Sequence, residues 1–103
     1  MATAVETVFP HITTDPEVCH GRPCIAGTRV RVMDVVAAHE QGVSPAELQD
    51  YFDTRPLTLG EIHAALAYYN DHKGEIEADF AEAERVAVEG AASEAELKRR
   101  PSQ

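Results

Sequence analysis

Residues 43–62 read VSPAELQDYFDTRPLTLGEI, and this segment contains two helix-start signals of the same kind. Ser44 is followed three residues later by Glu47, and Thr58 is followed three residues later by Glu61. In such a capping box, each side chain accepts a hydrogen bond from the backbone N–H of the other residue, which satisfies donors that the first turn leaves open. The segment therefore predicts two helices separated by a short turn.

Apolar residues recur at helical spacing on both sides of this pair. We expect four helices: one from Met33 to a glycine C-cap at Gly42, two over 44–52 and 58–71, and one after Gly74. The third helix is expected to direct four residues inward, namely Leu59, Ile62, Leu66 and Tyr69. Its outer face is expected to carry Gly60, Glu61, His63, Ala64, Ala67, Asn70 and Asp71.

The N-terminal part of the chain has a different pattern. Residues 1–11 lack a periodic pattern and are expected to be a loose lead-in. Short β-prone pieces follow at 8–13, 23–25 and 28–32, and in the last piece two valines alternate with two arginines. The predicted fold is mainly α: a tri-helical helix-turn-helix unit behind a short N-terminal β-hairpin arm, with an acidic C-terminal helix. Its parts are a tail (1–11), the arm with its helical unit (12–73) and an acidic extension (74–103).

Charge is distributed unevenly along the chain. The 103 residues contain 18 acidic and 9 basic side chains, for a net charge of −9, which as a whole disfavours binding to nucleic acid. Residues 75–96 carry most of this imbalance, whereas 1–32 are neutral. No apolar run is long enough for a membrane span, and the N-terminus lacks the pattern of a secretion signal, so we expect a cytoplasmic protein without membrane contact.

The outer face of the third helix is a poor match for a DNA-reading surface. Major-groove readers offer Arg, Lys, Asn or Gln to base edges, whereas this face has carboxylates and few such groups. The candidate DNA contacts are Arg55, Thr58, His63 and Asn70.

Neither a metal site nor a catalytic site is expected. Cys19 and Cys24 lie near His11 and His20, but their spacing fits no common zinc site. A disulfide is disfavoured in a reducing cytoplasm, so we expect two small, mostly buried thiols. No nucleophile–base grouping, phosphate loop or dinucleotide motif occurs, and we therefore expect no enzyme activity and no cofactor.

Residues 12–72 contain a motif set that resembles a known family. The first motif is Gly21-Arg22-Pro23-x-Ile25-x-Gly27-Thr28-Arg29-x-x-Val32, and it continues into Gly42-x-Ser44-Pro45-x-Glu47 and Leu57-Thr58-x-x-x-Ile62-x-Ala64-Ala65-Leu66-Ala67-Tyr68. The chain is similar to the bacterial domain-of-unknown-function family 433, which is described as antitoxin-like. The resemblance implies a homeodomain-like fold, a homodimer with paired or exchanged arms, and a PIN-like ribonuclease toxin encoded nearby.

The arm supplies the candidate residues for contact with a second copy or a partner: Arg22, Ile25, Gly27, Thr28, Arg29 and Arg31. Arginine can bind carboxylates in two-point geometry, in a twin subunit or in an acidic ribonuclease site. For Arg29, the alternative is an ion pair that anchors the arm to Asp34 or Asp15. For the acidic helix, the alternatives are a basic toxin surface or a solvated helix packed through Ile76 and Phe80.

Two functions remain open at this point. The first is an antitoxin-like protein that sequesters a ribonuclease, and the second is a DNA-binding autorepressor that uses the helix-turn-helix unit.

Overall fold

A computed structural model describes the backbone of residues 5–99 and the side chains of residues 5–87. In order, the elements are strands β1 (Glu6–Phe9) and β2 (Ile12–Thr14), a 3-10 turn (Cys19–Gly21), strand β3 (Cys24–Ile25), and helices α1 (Val32–Glu40), α2 (Pro45–Leu48), α3 (Leu59–Asp71) and α4 (Lys73–Arg99). The expected mainly helical fold, with a small N-terminal sheet followed by four helices, is confirmed for these residues.

The three strands form an antiparallel sheet in the order β1-β2-β3. The expected strand over 8–13 is instead a hairpin, because the chain reverses at Pro10 and His11, where His11 has a φ of 69°. Proline cannot donate to a ladder, and a left-handed residue cannot continue a strand. Glu6–Phe9, which was expected to be lead-in, therefore pairs with β2.

The strand expected over 28–32 does not form. Arg31 makes one isolated bridge to Cys24, and Val32 already begins α1. The cause is a capping interaction, because the Asp34 carboxylate accepts a hydrogen bond from the Arg31 backbone N–H at 3.0 Å. Val30 and Val32 are nevertheless both buried.

Both capping boxes predicted from residues 43–62 are confirmed. The Ser44 hydroxyl accepts from the Glu47 N–H at 3.2 Å, and the Thr58 hydroxyl accepts from the Glu61 N–H at 3.1 Å. Gly42 is left-handed, with a φ of 103°. The second helix is shorter than predicted and ends at Leu48.

The early end of α2 has a local cause at Gln49. The Gln49 carbonyl accepts from the Leu57 N–H at 2.9 Å, and the Gln49 side chain donates back to the Leu57 carbonyl at 3.0 Å. This carbonyl is therefore bound to the far end of the turn instead of to a helical N–H group. The exchange ties α2 to the residue that precedes the N-cap of α3.

The core lies between the sheet, α1 and α3. Its fully buried side chains include Ile12 and Ile25 from the sheet, Val35 from α1 and Ile62 from α3. The inward face of α3 differs from the predicted one: the buried residues are Glu61, Ile62, Ala65 and Tyr68. Leu59, predicted to face inward, is 45% exposed, and Glu61, predicted to face outward, is 8% exposed.

Helix α4 packs on the core through its first turns. Ile76 is fully buried, and Phe80 and Ala83 pack against the same cluster. The helix continues to Arg99. None of the helices within residues 5–99 is long and apolar enough to cross a membrane.

Candidate partner-binding surface

The loop between β3 and α1 presents most of the candidate contact residues. Gly27 has a φ of 77°, which lets the chain turn back so that the Ile25 N–H donates to the Val30 carbonyl at 2.9 Å. The Thr28 hydroxyl donates to the Ile25 carbonyl at 2.8 Å and accepts from the Val30 N–H at 3.0 Å. These bonds close the loop and hold Arg29 at its tip.

Three arginines of the arm have different environments. Arg31 forms a two-point ion pair with Asp34, with N–O distances of 3.0 and 2.9 Å. The Nε atom of Arg22 lies 3.3 Å from the Asp79 carboxylate of α4. Arg29 is exposed, and its side chain has no hydrogen bond or ion pair within the described residues. Arg29 is therefore the arm cation that is free to meet another molecule.

The expected alternative for Arg29, an ion pair with Asp34 or Asp15, is wrong. Asp34 is bound by Arg31, and Asp15 accepts the backbone N–H of Glu17 at 2.9 Å. Ile25 is fully buried in the core, so its side chain supports the arm from inside and does not reach a partner in this structure.

An open groove of about 720 Å³ lies beside this loop. Arg29 lines it together with neighbouring arm residues and the segment after α2. The lining residues include Val5, Asp15, Cys24, Thr28, Val30 and Phe52. The groove thus combines an apolar floor with charged and hydroxyl groups, which is the mixed character of a protein-contact surface.

The outer edge of the sheet lies on the same N-terminal part. Among the described residues, β1 pairs only with β2, so its other backbone edge is open. Val5 and Val8 are large apolar side chains that remain exposed there. An open, partly apolar edge strand is a template for pairing with another chain.

The four candidate DNA contacts do not form one basic surface. Arg55 donates to the Glu61 carboxylate at 3.0 and 2.8 Å and also to the Ala26 carbonyl at 3.1 Å. Thr58 is used as the N-cap of α3. His63 and Asn70 are exposed on α3. The one cation of the set is therefore engaged within the fold.

Glu61 is the buried polar residue that the sequence analysis placed on the wrong face. The Arg55 guanidinium, and next the Thr58 backbone N–H, lower the pKa of its carboxyl from 4.5 to about 2 against the opposing effect of burial. Two features of the sequence could have indicated that Glu61 is buried: its position in the capping box and Arg55, six residues earlier. Its contacts join the turn, α3 and, through Arg55, the arm.

Cys19 and Cys24 are free thiols beside this surface. Cys24 is buried, as predicted, whereas Cys19 is partly exposed. The described residues hold no group of three or more His, Cys, Asp or Glu side chains arranged to bind a metal ion.

The described residues define a small, mainly helical domain with an antiparallel N-terminal sheet and a groove at that sheet. The family model described as "Protein of unknown function (DUF433)" matches residues 12–69, more than half of the chain, and the chain belongs to this family. The crystal structure of a DUF433 member protein from Anabaena variabilis is similar, with 32% sequence identity and a TM-score of 0.62 over 69% of this chain and 68% of that chain. No curated protein matches the chain.

Proposed function

We propose that the chain is an antitoxin-like interaction protein and not an enzyme: a cytoplasmic homodimer that binds and masks a PIN-like ribonuclease toxin encoded nearby. The observation that carries the proposal is Arg29. Its guanidinium is exposed at the rim of the groove, on a hydrogen-bonded loop, without a partner in the described part of the chain. An unpaired arginine on a rigid loop is suited to entering a cluster of carboxylates.

The charges of α4 support the same partner. Glu75, Glu77, Glu82 and Glu84 are exposed in the part of α4 whose side chains are described. An enzyme that cleaves RNA needs a positive surface along the path of its substrate, and an acidic helix complements such a surface. Ile76 and Phe80 pack the inner face of α4 against the core, as the alternative of a solvated amphipathic helix expects. This packing leaves the acidic outer face of α4 available to a basic partner.

The open edge of β1 is the surface that we assign to the homodimer. Pairing of β1 with β1 of a second copy would extend the sheet and cover Val5 and Val8. Light scattering of the purified chain is expected to give the mass of a dimer. A monomer mass at all concentrations would contradict this part of the proposal.

The partner is tested by co-expression with the neighbouring gene for a PIN-like protein. The two chains are expected to co-purify, and the ribonuclease is expected to be inactive until it is separated. Arg29→Ala should weaken the complex at least about tenfold, because a charge-assisted hydrogen bond contributes about 1.5–3 kcal/mol. Arg29→Lys should restore only part of the affinity, because lysine keeps the charge but loses the fork of donors.

The control is Arg85→Ala, which removes an exposed arginine of α4 that is paired with Glu82. It should not weaken the complex, because it removes a positive charge from the acidic helix, and both alanine variants should keep the melting temperature of the wild type. If Arg29→Ala binds the ribonuclease as tightly as Arg85→Ala does, the groove is not the contact. If no stable complex forms with the wild type, the antitoxin proposal is wrong.

A second candidate function is DNA binding by an autorepressor, with α1–α3 as a homeodomain-like helix-turn-helix unit. It is favoured by the mutual packing of α1, α2 and α3 and by the exposure of His63 and Asn70 on α3. The engagement of Arg55 by Glu61 counts against it. Steeply salt-dependent binding to the chain's own promoter, without binding to the neighbouring gene product, would reverse the ranking.

A further inference from the structure

The two cysteines are held around one backbone residue, Arg22. The Cys19 carbonyl accepts from the Arg22 N–H at 3.1 Å, and the Cys24 thiol donates to the Arg22 carbonyl at 3.4 Å. The Cys19 thiol donates to the Arg29 carbonyl at 3.5 Å, while Cys24 forms a backbone bridge with Arg31. Both cysteines therefore contact the segment 29–31, Cys19 through its thiol and Cys24 through its backbone.

The Cys19 thiol also affects the ionisation of Cys24. Burial is the main reason that the pKa of Cys24 rises to about 12, and the adjacent Cys19 thiol is the next cause, through its charge and through hydrogen bonding. Arg31 acts in the opposite direction. Two thiols this near to each other are placed for mutual reaction once one of them is activated.

The backbone at Cys19 adds a second, independent observation. Cys19, His20 and Gly21 have φ values of 52°, 59° and 80°, so three successive residues are left-handed, and two of them are not glycine. Non-glycine residues in this region are strained and persist only where the surroundings enforce them, a condition that clusters at functional sites. Here the strained turn folds Cys19 back toward Cys24.

We propose that Cys19 and Cys24 form a reversible dithiol–disulfide redox site, oxidised by low-molecular-weight disulfides. Cys19, the more exposed thiol, loses its proton and attacks one sulfur of the oxidant, whose S–S bond breaks and whose first half leaves and takes up the proton. Cys24 then loses its proton and attacks the Cys19 sulfur, and the second half of the oxidant leaves as a thiol. Two cysteine thiols are oxidised and one disulfide is reduced to two thiols.

The order of attack follows from the surroundings of each sulfur. Cys24 is buried and holds its proton firmly while the Cys19 thiol lies beside it. Once Cys19 is in a mixed disulfide, its sulfur is the electrophile beside Cys24, which then acts as the resolving thiol. Oxidation also removes the thiol donor from the Arg29 carbonyl, at the groove that Cys24 itself lines.

The test uses the wild-type full chain equilibrated with mixtures of oxidised and reduced glutathione, quenched with acid and alkylated. Mass spectrometry should find a monomer that has lost two hydrogen atoms, carries no alkyl group and regains two reactive thiols after treatment with dithiothreitol. Two free thiols throughout, stable glutathione adducts or disulfide-linked dimers would each overturn the proposal. This test does not depend on the proposed function, since no partner is present.

The contribution of the fold to disulfide formation is measured by comparing the folded chain with the same chain unfolded in urea. The folded chain should reach half-oxidation at a ratio of oxidised to reduced glutathione at least about tenfold lower than the unfolded chain. Equal ratios would mean that the short sequence separation alone accounts for pairing, and the proposal would then fail.

Two single variants test the assigned order. Cys24→Ser should stop at a mixed disulfide with one glutathione on Cys19, whereas Cys19→Ser should react much more slowly. Equal rates for the two variants would contradict the assignment of Cys19 as the attacking thiol.

Discussion

Glu61→Gln removes the charge of the most buried carboxylate among the ion pairs that the structure describes. The Glu61 carboxylate is bound by two guanidinium nitrogens of Arg55 and by the Thr58 backbone N–H at 2.9 Å. Glutamine keeps the size of the side chain and one oxygen that can accept from Thr58. The substitution therefore removes the ion pair while it preserves the capping box.

The expected loss of stability follows from the pKa of Glu61. A fall from 4.5 to about 2 corresponds to a ceiling of roughly 3–4 kcal/mol, since one pKa unit is about 1.4 kcal/mol. Arg55 is 46% exposed, so solvent screens the pair and reduces this value. We expect Glu61→Gln to lower the free energy of unfolding by about 1–2 kcal/mol at pH 7, or the melting temperature by about 5–15 °C.

The pH dependence gives the stricter test. Because the pKa of Glu61 is lower in the folded than in the unfolded chain, its stabilisation is fully present above 4.5 and is lost as the pH falls toward 2. Protonated Glu61 and glutamine are both neutral, so the difference between wild type and Glu61→Gln should shrink over this range. This difference in the free energy of unfolding is measured by urea unfolding at fixed protein concentration, from pH 7 to pH 2.5.

Glu47→Gln is the matched control for this prediction. Glu47 occupies the same position in the capping box of α2 and accepts from the Ser44 N–H at 3.0 Å, but it is exposed and has no arginine partner. Its substitution should change the free energy of unfolding by less than about 0.5 kcal/mol. Equal effects of the two variants, or a Glu61→Gln difference that does not change between pH 7 and pH 3, would refute the ion-pair argument.

Three further predictions concern stability, each measured by urea unfolding. Ile62→Ala should cost about 2–5 kcal/mol and Leu59→Ala less than about 0.5 kcal/mol, and the reverse order would contradict the orientation of α3. Gly27→Ala should cost about 1 kcal/mol from backbone strain alone, because no atom lies within 4 Å of the added carbon; no loss would mean a different turn. A double-mutant cycle of Arg22→Ala and Asp79→Asn should give a coupling below about 1 kcal/mol that decreases at high salt, and zero coupling would mean that α4 is not tied to the arm.

Local backbone chemistry explains which parts of the fold could be predicted from sequence. The starts of α2 and α3 were predicted correctly because Ser44 and Thr58 satisfy their own helix donors within three residues. The end of α2 was not predicted correctly, because it depends on an exchange of hydrogen bonds between Gln49 and Leu57, which is a contact across a turn. The hairpin at Pro10 was missed although proline is a turn signal, because apolar residues on both sides gave the appearance of one strand.

The orientation of α3 was the most consequential error for function, and its cause is physical. Periodicity assigns apolar residues inward and charged residues outward, so it placed Leu59 inside and Glu61 outside. A carboxylate can be buried when an arginine and a backbone N–H bind it, and Arg55 and Thr58 do so here. The same contact occupies the one arginine among the candidate DNA contacts. Among the described residues, the arm holds an arginine without a partner, Arg29, so the burial of Glu61 is itself a reason to seek a partner at the groove and not at α3.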